Sequence, residues 1–408
     1  MTHGKIAPRL YLRRIKMKDS YIVTSVRTPG CKRAKGAFKD TRPDDLLAFI
    51  LNAAMDQTNG LEKKQVDDIM IGCSFPEAEQ GLNIGRIASQ MAGFPVEVSG
   101  ATVNRFCSSG LEAIALAALK IQAGWSQVTI GGGIESMTYV PMGGSIPRPH
   151  PVFAQKQSEL YISMGLTAEN VANRYEVSRE QQDEFAALSQ QKAAAARSNG
   201  WFTEIVPTPA ARFVQDDKGI YRKETFIQEH DDGIREGTTA EGLAKLRPAF
   251  AADGSVTAGN SSQMTDGAAA TILASKEMVA ELGLQPLAKF VCYTTAGCQP
   301  DEMGVGPLVA IPKLLKLAGM QISDIGIFEI NEAFASQALY CIRELGIDME
   351  KVNLNGGAIA LGHPLGCTGA KLCATLLANM RKKGVRYGIE SMCIGGGMGA
   401  AALFELCE

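Results

Sequence analysis

The chain repeats a pattern at a fixed distance, and this duplication constrains its fold more than any other feature. Residues 67–71 (DDIMI) resemble residues 323–327 (SDIGI). Cys107 lies 39 residues after Asp68, and His363 lies 39 residues after Asp324. Downstream, the segment IESM at 134–137 is echoed by IESM at 389–392. We therefore expect two similar halves, with Cys107 and His363 at matching positions where a loop enters a helix.

Short β-branched runs alternate with Ala/Leu-rich helical patterns in both halves, which predicts an α/β fold. Strands are expected at residues 21–26, 68–72, 128–132, 287–293, 325–330 and 387–393. Helices are expected at 44–55, 83–91, 107–123, 312–318 and 331–344, and a loop followed by a helix at 362–379. In open α/β sheets, sites form beyond the carboxyl ends of the strands.

The middle of the chain differs from both halves and predicts an inserted domain at 138–245. It begins with a Pro/Gly stretch, continues with a polar helix expected at 167–199, and then carries a charged loop expected at 216–241. We expect this insertion to lie over the body. The first half would then comprise 19–137 with 246–284, and the second half 285–408.

Charge excludes a nucleic-acid binder by bulk electrostatics. Six of the 41 basic residues fall in 1–18, which leaves 35 basic against 43 acidic side chains in the rest, a formal charge of −8. We interpret 1–18 as a basic extension ahead of Met17; the alternative is a transit-like segment, which would make the protein organellar. No apolar run of about 18 residues occurs, so no membrane span is expected.

The cysteine and histidine usage predicts a cytoplasmic protein without a metal site. There are ten cysteines, several of them in apolar or Gly-rich runs, and no CxxC motif. Buried, reduced thiols are therefore expected. With only four histidines, a zinc site is not indicated.

Two motifs present cysteines in reactive settings. NRFCSSG at 104–110 places Cys107 at a predicted helix N-terminus, whose dipole would lower the pKa of the thiol and favour thiolate. SMCIGGGMG at 391–399 places Cys393 between a strand and a glycine nest whose N–H groups can bind an anion. The structural alternatives are a buried cysteine at a turn and a tight strand exit.

Two further motifs supply polar groups at predicted strand and helix ends. NEAFA at 331–335 offers Asn331 either as an N-cap or as an amide that holds a water or a substrate oxygen. GGAIALGHPLGCTG at 356–369 surrounds His363 with glycines. A neutral histidine there could donate from Nε2 to an oxyanion, although a lone histidine is commonly structural. Two cysteines and one histidine at strand ends suggest Cys-based acyl transfer.

Together these four motifs resemble those of the thiolase family, in its degradative 3-ketoacyl-CoA branch. Further matches are TAENVA at 167–172, EGLAKLRPAF at 241–250 and TAGNSS at 257–262. The resemblance runs from about residue 19 to the end. It implies duplicated α-β-α-β-α layers, in which each half has a mixed five-stranded sheet, plus the inserted loop domain. It also implies a homodimer or homotetramer.

The resemblance also assigns catalytic roles to residues of this chain. Cys107 resembles the nucleophile that is acylated, and Cys393 the second cysteine that acts as acid and base. His363, with a water held by Asn331, resembles the oxyanion hole for the acetyl-CoA enolate. The backbone N–H groups of Cys107 and Gly395 resemble the hole for the tetrahedral oxyanion.

Other positions resemble substrate contacts. Ser262 and Arg235 match positions that contact CoA, and Met303 and Phe250 match residues that line the acyl pocket. Biosynthetic members carry His where Ser163 stands here, which favours the degradative branch. A hydratase–dehydrogenase partner subunit is possible in that branch.

The implied function is cleavage of 3-ketoacyl-CoA by CoA, as in fatty-acid β-oxidation, with CoA as a substrate and no metal or redox cofactor. One alternative is a biosynthetic acetyl-CoA C-acetyltransferase that makes acetoacetyl-CoA. Another is a catalytically inactive acyl-CoA-binding protein. A cysteine hydrolase would need His paired to Cys as its base, and would not need the second cysteine. A ketoacyl synthase would need a second histidine in place of Asn331.

Overall fold

A computed structural model describes residues 17–407. Most of the basic extension expected at 1–18 therefore lies outside the described residues. Within the described range, no helix combines the length and the apolarity needed to cross a membrane. All ten cysteines are free thiols.

Twelve strands and twelve α-helices make up the described chain. The strands are β1 (Ser20–Arg27), β2 (Cys31–Lys32), β3 (Asp68–Gly72), β4 (Ser99–Val103), β5 (Val128–Ser136), β6 (Thr208–Gln215), β7 (Tyr221–Gln228), β8 (Thr265–Ser275), β9 (Ala288–Gly297), β10 (Ile327–Ile330), β11 (Tyr387–Ile394) and β12 (Met398–Leu406). The helices are α1 (Pro43–Asp56), α2 (Ile84–Met91), α3 (Ser109–Gln122), α4 (Pro151–Lys156), α5 (Met164–Arg174), α6 (Arg179–Ser198), α7 (Ala240–Leu243), α8 (Lys276–Leu282), α9 (Gly306–Ala318), α10 (Ala335–Glu344), α11 (Ala358–Leu361) and α12 (Thr368–Lys383).

Ten strands of mixed direction form one continuous sheet with two parts, one from each half of the chain, which confirms the predicted α/β class. The first half orders its strands β4-β3-β5-β8-β1 and the second β9-β12-β11-β10. The two sets join where β1 meets β9, through the pairs Tyr21–Lys289 and Ile22–Ala288. The second half has four strands rather than five, because its fifth position is reduced to a single parallel bridge between Phe328 and Val352.

Helices α3 and α12 form the central layer between the two parts of the sheet. One apolar cluster includes residues of α3 and α12 together with residues of both parts of the sheet, such as Leu111, Leu376, Leu273 and Phe404. Helices α1 and α2 contribute to a separate core on the outer face of the first part, and α9 and α10 to one on the outer face of the second. The result is the expected five-layer α-β-α-β-α order.

Strand pairing gives the offset of the duplication. Ile71 of β3 pairs with Gly132 of β5, and Ile327 of β10 pairs with Gly388 of β11. Both members of the second pair lie 256 residues after their counterparts, the separation that also relates Cys107 to His363. The two IESM segments are 255 residues apart and so are out of register by one. A one-residue slip turns side chains to the opposite face of a sheet, so the two glutamates do not occupy equivalent places.

Several predicted boundaries were wrong. The helix expected at 167–199 is two helices, α5 and α6, because Glu176 takes a left-handed conformation (φ 53°) and Ser178 caps α6. The expected loop at 216–241 includes strand β7, which forms a hairpin with β6. The helix expected from Asn331 begins only at Ala335.

Candidate active site

Cys107 lies in a tight turn between β4 and α3. The preceding residue, Phe106, has φ 44°, which is strained for a bulky side chain. The turn is held by its neighbours: Asn104 Oδ1 accepts from the Phe106 N–H at 2.9 Å, and the Ser109 hydroxyl donates to the Phe106 carbonyl at 2.6 Å. Strain that is held by local hydrogen bonds is typical of a turn that presents a reactive side chain.

Burial decides the protonation state of Cys107. The residue is 7% exposed, and burial raises the pKa of its thiol to about 11. The thiolate expected from the helix N-terminus is therefore wrong for the resting protein, because desolvation outweighs the helix dipole. The backbone N–H groups of Gly395 and of Cys107 itself face the sulfur and act in the opposite direction. They are the two amides that the sequence predicts for an oxyanion hole.

His363 lies on a buried loop rather than at a helix start. Gly362 precedes it with φ 82°, a conformation that glycine adopts without strain, and α12 begins five residues later at Thr368. His363 Nδ1 lies 2.6 Å from the Thr368 hydroxyl oxygen. Burial, together with the nearby Lys371 ammonium, lowers the pKa of His363 to about 3. The imidazole is therefore neutral at physiological pH.

Asn331 meets His363 at the active site. Its Nδ2 atom lies 3.4 Å from His363 Nε2, while its Oδ1 atom is buried without a hydrogen-bond partner. The N-cap interpretation of Asn331 is wrong, since α10 is capped at Phe334. A buried, unpartnered amide oxygen fits an atom that waits for a water or a substrate group.

The Thr368 hydroxyl permits either tautomer of His363, because it can both donate and accept. When Nδ1 carries the proton, Nδ1 donates to Thr368 and Nε2 is free to accept a proton. When Nε2 carries it, Thr368 donates to Nδ1 and Nε2 can donate to an oxyanion. One neutral histidine can thus serve both as a base and as a hydrogen-bond donor.

Cys393 is fully buried near the end of β11. Its Sγ lies 3.8 Å from the Gln337 Oε1 atom. Burial raises the pKa of this thiol well above its ordinary value, and the neighbouring Cys107 sulfur raises it further. The turn to β12 contains Gly396 and Gly397 at φ 84° and 85°, which allows the chain to reverse and places the Gly395 amide toward Cys107.

Both predicted pocket residues pack near Cys393. Met303 is buried in the same apolar cluster as Cys393. Phe250 is 41% exposed and packs edge-on against Phe334, with ring centroids 5.9 Å apart. Phe334 belongs to the same cluster as Met303 and Cys393, so both predicted pocket residues pack against one apolar group beside Cys393.

The predicted CoA contacts are nearer the surface. The Ser262 N–H donates to the Ala333 carbonyl at 2.9 Å, so this loop borders the Asn331 segment. Arg235 is exposed, and its backbone N–H donates to Gln190 Oε1 at 2.8 Å. Gln190 Nε2 in turn donates to the Ile359 carbonyl, shortly before His363. The Arg235 backbone is therefore linked to the segment before His363, and among the described residues its guanidinium makes no hydrogen bond or ion pair.

Sequence reasoning missed several residues that contact Cys393 and His363 or change the pKa of His363. Thr368 had a detectable signal, since it follows His363 by five residues in the same Gly-rich motif. Gln337 and Lys371 had none, because only the fold brings them beside Cys393 and His363. The strained φ angle of Phe106 is a property of the backbone and cannot be predicted from the residue type.

Comparison with known proteins identifies the family. The N-terminal thiolase domain matches residues 20–277, and the C-terminal thiolase domain matches residues 284–406. The chain is 53% identical over 394 residues to 3-ketoacyl-CoA thiolase from Bacillus subtilis, covering 96% of this chain and 100% of that protein.

Two solved structures share the architecture. The dimeric peroxisomal thiolase of Saccharomyces cerevisiae superposes with a TM-score of 0.86 at 41% identity, covering 96% of this chain and 98% of that one. The acetyl-CoA acetyltransferase of Bacillus anthracis gives a TM-score of 0.86 at 39% identity, covering 96% and 100%. With two matched domains that span nearly all of the described residues and a relative of this identity, the chain belongs to the thiolase family.

Proposed function

We propose that this protein is a 3-ketoacyl-CoA thiolase, which cleaves 3-ketoacyl-CoA with CoA to give acetyl-CoA and an acyl-CoA shortened by two carbons. The observation that carries the proposal is that Cys107 lies beside Cys393 and the Gly395 amide, and packs in one small apolar cluster with Leu365 of the loop that carries His363. Its similarity to a 3-ketoacyl-CoA thiolase over almost the whole chain supports this substrate. The activity is an acyl transfer, and CoA is a substrate.

In the first half-reaction, Cys107 attacks the 3-keto carbon. Because burial keeps Cys107 protonated, its proton must leave during the attack, and the neutral His363 supplies an acceptor. The bond between C2 and C3 then breaks, and its electron pair forms the enolate of acetyl-CoA. The Cys393 thiol protonates C2 of that enolate, and the acyl group remains on Cys107 as a thioester.

In the second half-reaction, Cys393 takes the proton from the incoming CoA thiol. The CoA sulfur attacks the carbonyl carbon of the acyl-Cys107 thioester, and acyl-CoA leaves. The Cys107 thiolate recovers its proton from His363. Atoms and charges balance over the two steps, and the two substrates follow ping-pong order.

Oxyanion stabilisation is the main demand of this chemistry, because an enolate is a poor leaving group. The Nε2 atom of His363 and a water held by Asn331 would stabilise the enolate oxygen. The amides of Cys107 and Gly395 would stabilise the tetrahedral intermediates. A single oxyanion donor is worth roughly 3–4 kcal/mol of transition-state stabilisation.

A biosynthetic acetyl-CoA C-acetyltransferase is the second candidate, and the solved acetyl-CoA acetyltransferase with the same fold favours it. Ser163, in place of the histidine of biosynthetic members, argues for the degradative branch. It is exposed at the N-cap of α5, and its side chain makes no capping hydrogen bond there. The choice depends on the acyl chain length that the enzyme accepts.

The deciding experiment measures CoA-dependent cleavage of 3-ketoacyl-CoA from four to sixteen carbons. We expect kcat/KM to rise beyond four carbons. Activity confined to acetoacetyl-CoA would establish the biosynthetic reaction instead, and no cleavage at any length would leave an acyl-CoA-binding protein.

The nucleophile assignment has its own test. Cys107→Ala should abolish turnover while the circular dichroism spectrum stays unchanged, because the substitution removes the nucleophilic sulfur and no other heavy atom of the residue. Cys393→Ala should stop turnover and still allow acylation of Cys107, seen as a mass increase of the intact protein. Steady-state turnover by either variant would contradict its assigned role.

We also propose a homodimeric or homotetrameric, cytoplasmic protein. Strand β4 ends the strand order of the first half and is only half-buried, which fits an edge that pairs with a second copy. The related yeast enzyme is described as dimeric. Ten free thiols fit a reducing compartment. A hydratase–dehydrogenase partner stays a prediction.

A further inference from the structure

Glu135 is a buried carboxylate that the proposed chemistry does not use. It lies near the end of β5 and has no exposed surface. Its Oε2 atom accepts from the backbone N–H of Ser74 at 2.8 Å and of Gly366 at 2.7 Å. Its Oε1 atom accepts from Gln80 Nε2 at 2.5 Å. Such charge-assisted hydrogen bonds are stronger than neutral ones, so this carboxylate is a firm anchor.

The two backbone partners of Glu135 lead to the two catalytic loops. Gly366 belongs to the second half and follows His363 by three residues. Ser74 belongs to the first half, and its carbonyl accepts from Asn104 Nδ2 at 2.9 Å. Asn104 is the residue whose Oδ1 holds the strained turn before Cys107. One carboxylate thus connects the Cys107 loop to the His363 loop.

The backbone segments that contain Gly133, Ser74 and Gly366 lie very close together around Glu135, so there is no room there for an additional side chain. A Cβ atom on Gly366 would lie 2.5 Å from the Ser74 nitrogen and 2.6 Å from Glu135 Oε2. A Cβ atom on Gly133 would lie 2.6 Å from the Gly366 carbonyl oxygen. Without Glu135, the Ser74 and Gly366 N–H groups would be buried without a hydrogen-bond acceptor, which destabilises this arrangement of the two loops.

We propose that Glu135 is a positioning residue, which holds the Cys107 loop and the His363 loop at their working separation across the two halves of the molecule. This inference rests on the proposed roles of Cys107 and His363. It extends them by naming the group that keeps both loops together. Leu365, next to Gly366, packs in the same small apolar cluster as Cys107. A shift of the His363 loop would therefore change the packing around the Cys107 side chain.

Glu135 also acts on Cys107 through its charge. Its negative charge raises the pKa of Cys107, in addition to the larger effect of burial. The other titratable neighbour is Cys393, on β11, whose own pKa is raised by Cys107 and by burial. Among the described residues, Cys73 and Cys367 also face Glu135. All four thiols are buried with raised pKa values, so Glu135 is the only carboxyl group among them. Burial also raises the pKa of Glu135, while the hydrogen bonds from Ser74, Gly366 and Gln80 favour its carboxylate.

The test compares Glu135→Ala and Glu135→Gln with the unmodified protein. Glu135→Ala leaves both N–H groups unpaired, and we expect kcat for thiolysis to fall about 100-fold with KM changed less than about twofold. Glu135→Gln keeps one acceptor oxygen but directs an amide NH2 at Gln80, and we expect a fall of about tenfold. Asp67→Asn is the matched control, because Asp67 accepts from the N–H groups of Gln127 and Val128 at the opposite end of β5. It should retain kcat.

A second readout separates positioning near Cys107 from a general loss of stability. The rate of Cys107 alkylation by iodoacetamide is measured against pH, with Cys107→Ala as the blank. Loss of the Glu135 charge should move the midpoint down by about 0.5–1 pH unit in both Glu135 variants and not in Asp67→Asn. Faster alkylation at pH 8 combined with slower thiolysis is the expected pattern.

Unchanged kcat and an unchanged alkylation midpoint in both Glu135 variants would overturn the inference. So would a fall in kcat that matches the loss of folded protein, measured by circular dichroism, with no shift in the midpoint. Failure of the proposed function is distinguishable, because the unmodified protein would then cleave no 3-ketoacyl-CoA, whereas the alkylation readout does not depend on turnover.

Discussion

At the scale of single residues, the state of His363 is set by groups that sequence inspection did not select. Lys371 Nζ donates to the Gly362 carbonyl at 3.4 Å, so a cation lies against the residue before the histidine. Arg27 lowers the pKa of Lys371 in turn, and burial lowers it most, to about 8. A protonated His363 beside this cation would be costly. The imidazole is therefore neutral before the reaction, and in the proposed mechanism it carries the Cys107 proton only between the two half-reactions.

Thr368 should control how well His363 works. Thr368→Val keeps the side-chain shape but removes the hydroxyl 2.6 Å from Nδ1, so neither tautomer is held in place. We expect kcat to fall about tenfold or more in Thr368→Val and to stay near that of the unmodified protein in Thr368→Ser, which retains the hydroxyl. Steady-state thiolysis at saturating CoA measures both. Equal kcat in the two variants would refute the role of the hydroxyl.

At the scale of elements, the adjacent strands β10 and β11 place two buried carboxyl groups side by side. Glu329 pairs with Glu390 in the parallel register. Asn379 Nδ2 donates to Glu329 Oε1 at 3.1 Å, while both oxygens of Glu390 are without a partner. Burial raises the pKa of Glu329 to about 8 and that of Glu390 well above its ordinary value. Burial therefore favours the protonated form of both groups in the folded protein.

Glu390→Gln should stabilise the protein, and more strongly as the pH rises. A carboxyl group whose pKa is higher in the folded protein than in the unfolded chain does not lower stability below its unfolded pKa. As the pH rises from the unfolded pKa to the folded pKa, the free energy of unfolding falls, because only the unfolded chain can release the proton. In this window each group costs up to about 1.4 kcal/mol per pH unit. Urea unfolding at pH 5.5 and pH 8 should show a shallower loss in Glu390→Gln than in the unmodified protein.

An exposed carboxylate provides the control for that experiment. Glu350 is exposed in the segment between α10 and α11. Glu350→Gln should leave the pH dependence of the free energy of unfolding unchanged. If Glu390→Gln gave the same pH dependence as Glu350→Gln, Glu390 would be ionised in the folded protein, contrary to its burial.

At the scale of the whole molecule, one buried arginine fastens the inserted segment to the body. Arg27, on β1, donates to Asp231 with two nitrogens at 2.8 and 3.0 Å and to Glu204 Oε1 at 3.1 Å. Both carboxylates come from the segment 138–245, and all three side chains are buried. Thr375 of α12 adds a hydroxyl to Glu204 at 2.8 Å. The insertion, the first half and the second half therefore meet in one ionic cluster.

Asp231→Asn should destabilise the protein by about 3–5 kcal/mol, because it leaves a buried guanidinium short of a charge partner. Arg27 holds the pKa of Asp231 below its ordinary value, although burial acts in the opposite direction. The stabilising effect of the Asp231 charge is therefore lost only when the pH falls below the ordinary pKa of an aspartate. The difference from the unmodified protein should therefore stay constant from pH 5 to 8.

The matched control is Asp216→Asn. Asp216 pairs with Arg222 at 3.3 Å on the β6–β7 hairpin, where the arginine side chain is 74% exposed. Exposed pairs are worth about 0–1 kcal/mol. Urea unfolding gives both values, and a similar small loss in the two variants would show that the Arg27 cluster does not hold the insertion.

Much of the fold was predictable, because periodicity and repeat spacing are local properties. The strand at 68–72 coincides with β3, and those at 21–26 and 387–393 lie within β1 and β11. The continuous helix over 167–199 failed because a single left-handed residue, Glu176, breaks a pattern that is polar on both sides. The missing fifth strand of the second half could not be predicted, since whether an edge segment pairs as a strand depends on its tertiary contacts with the neighbouring strand.

The sequence by itself determined the family, the duplication and the set of reactive groups, because residue type and spacing are carried by the chain. Cys107, Cys393, His363 and Asn331 were all identifiable in this way. The tertiary structure decided their protonation states and partners. Burial keeps Cys107 protonated against the helix dipole. Burial and Lys371 keep His363 neutral, and Thr368 orients its ring. Glu135 reaches Gly366 across 231 positions of sequence, so only folding brings these groups within hydrogen-bond distance.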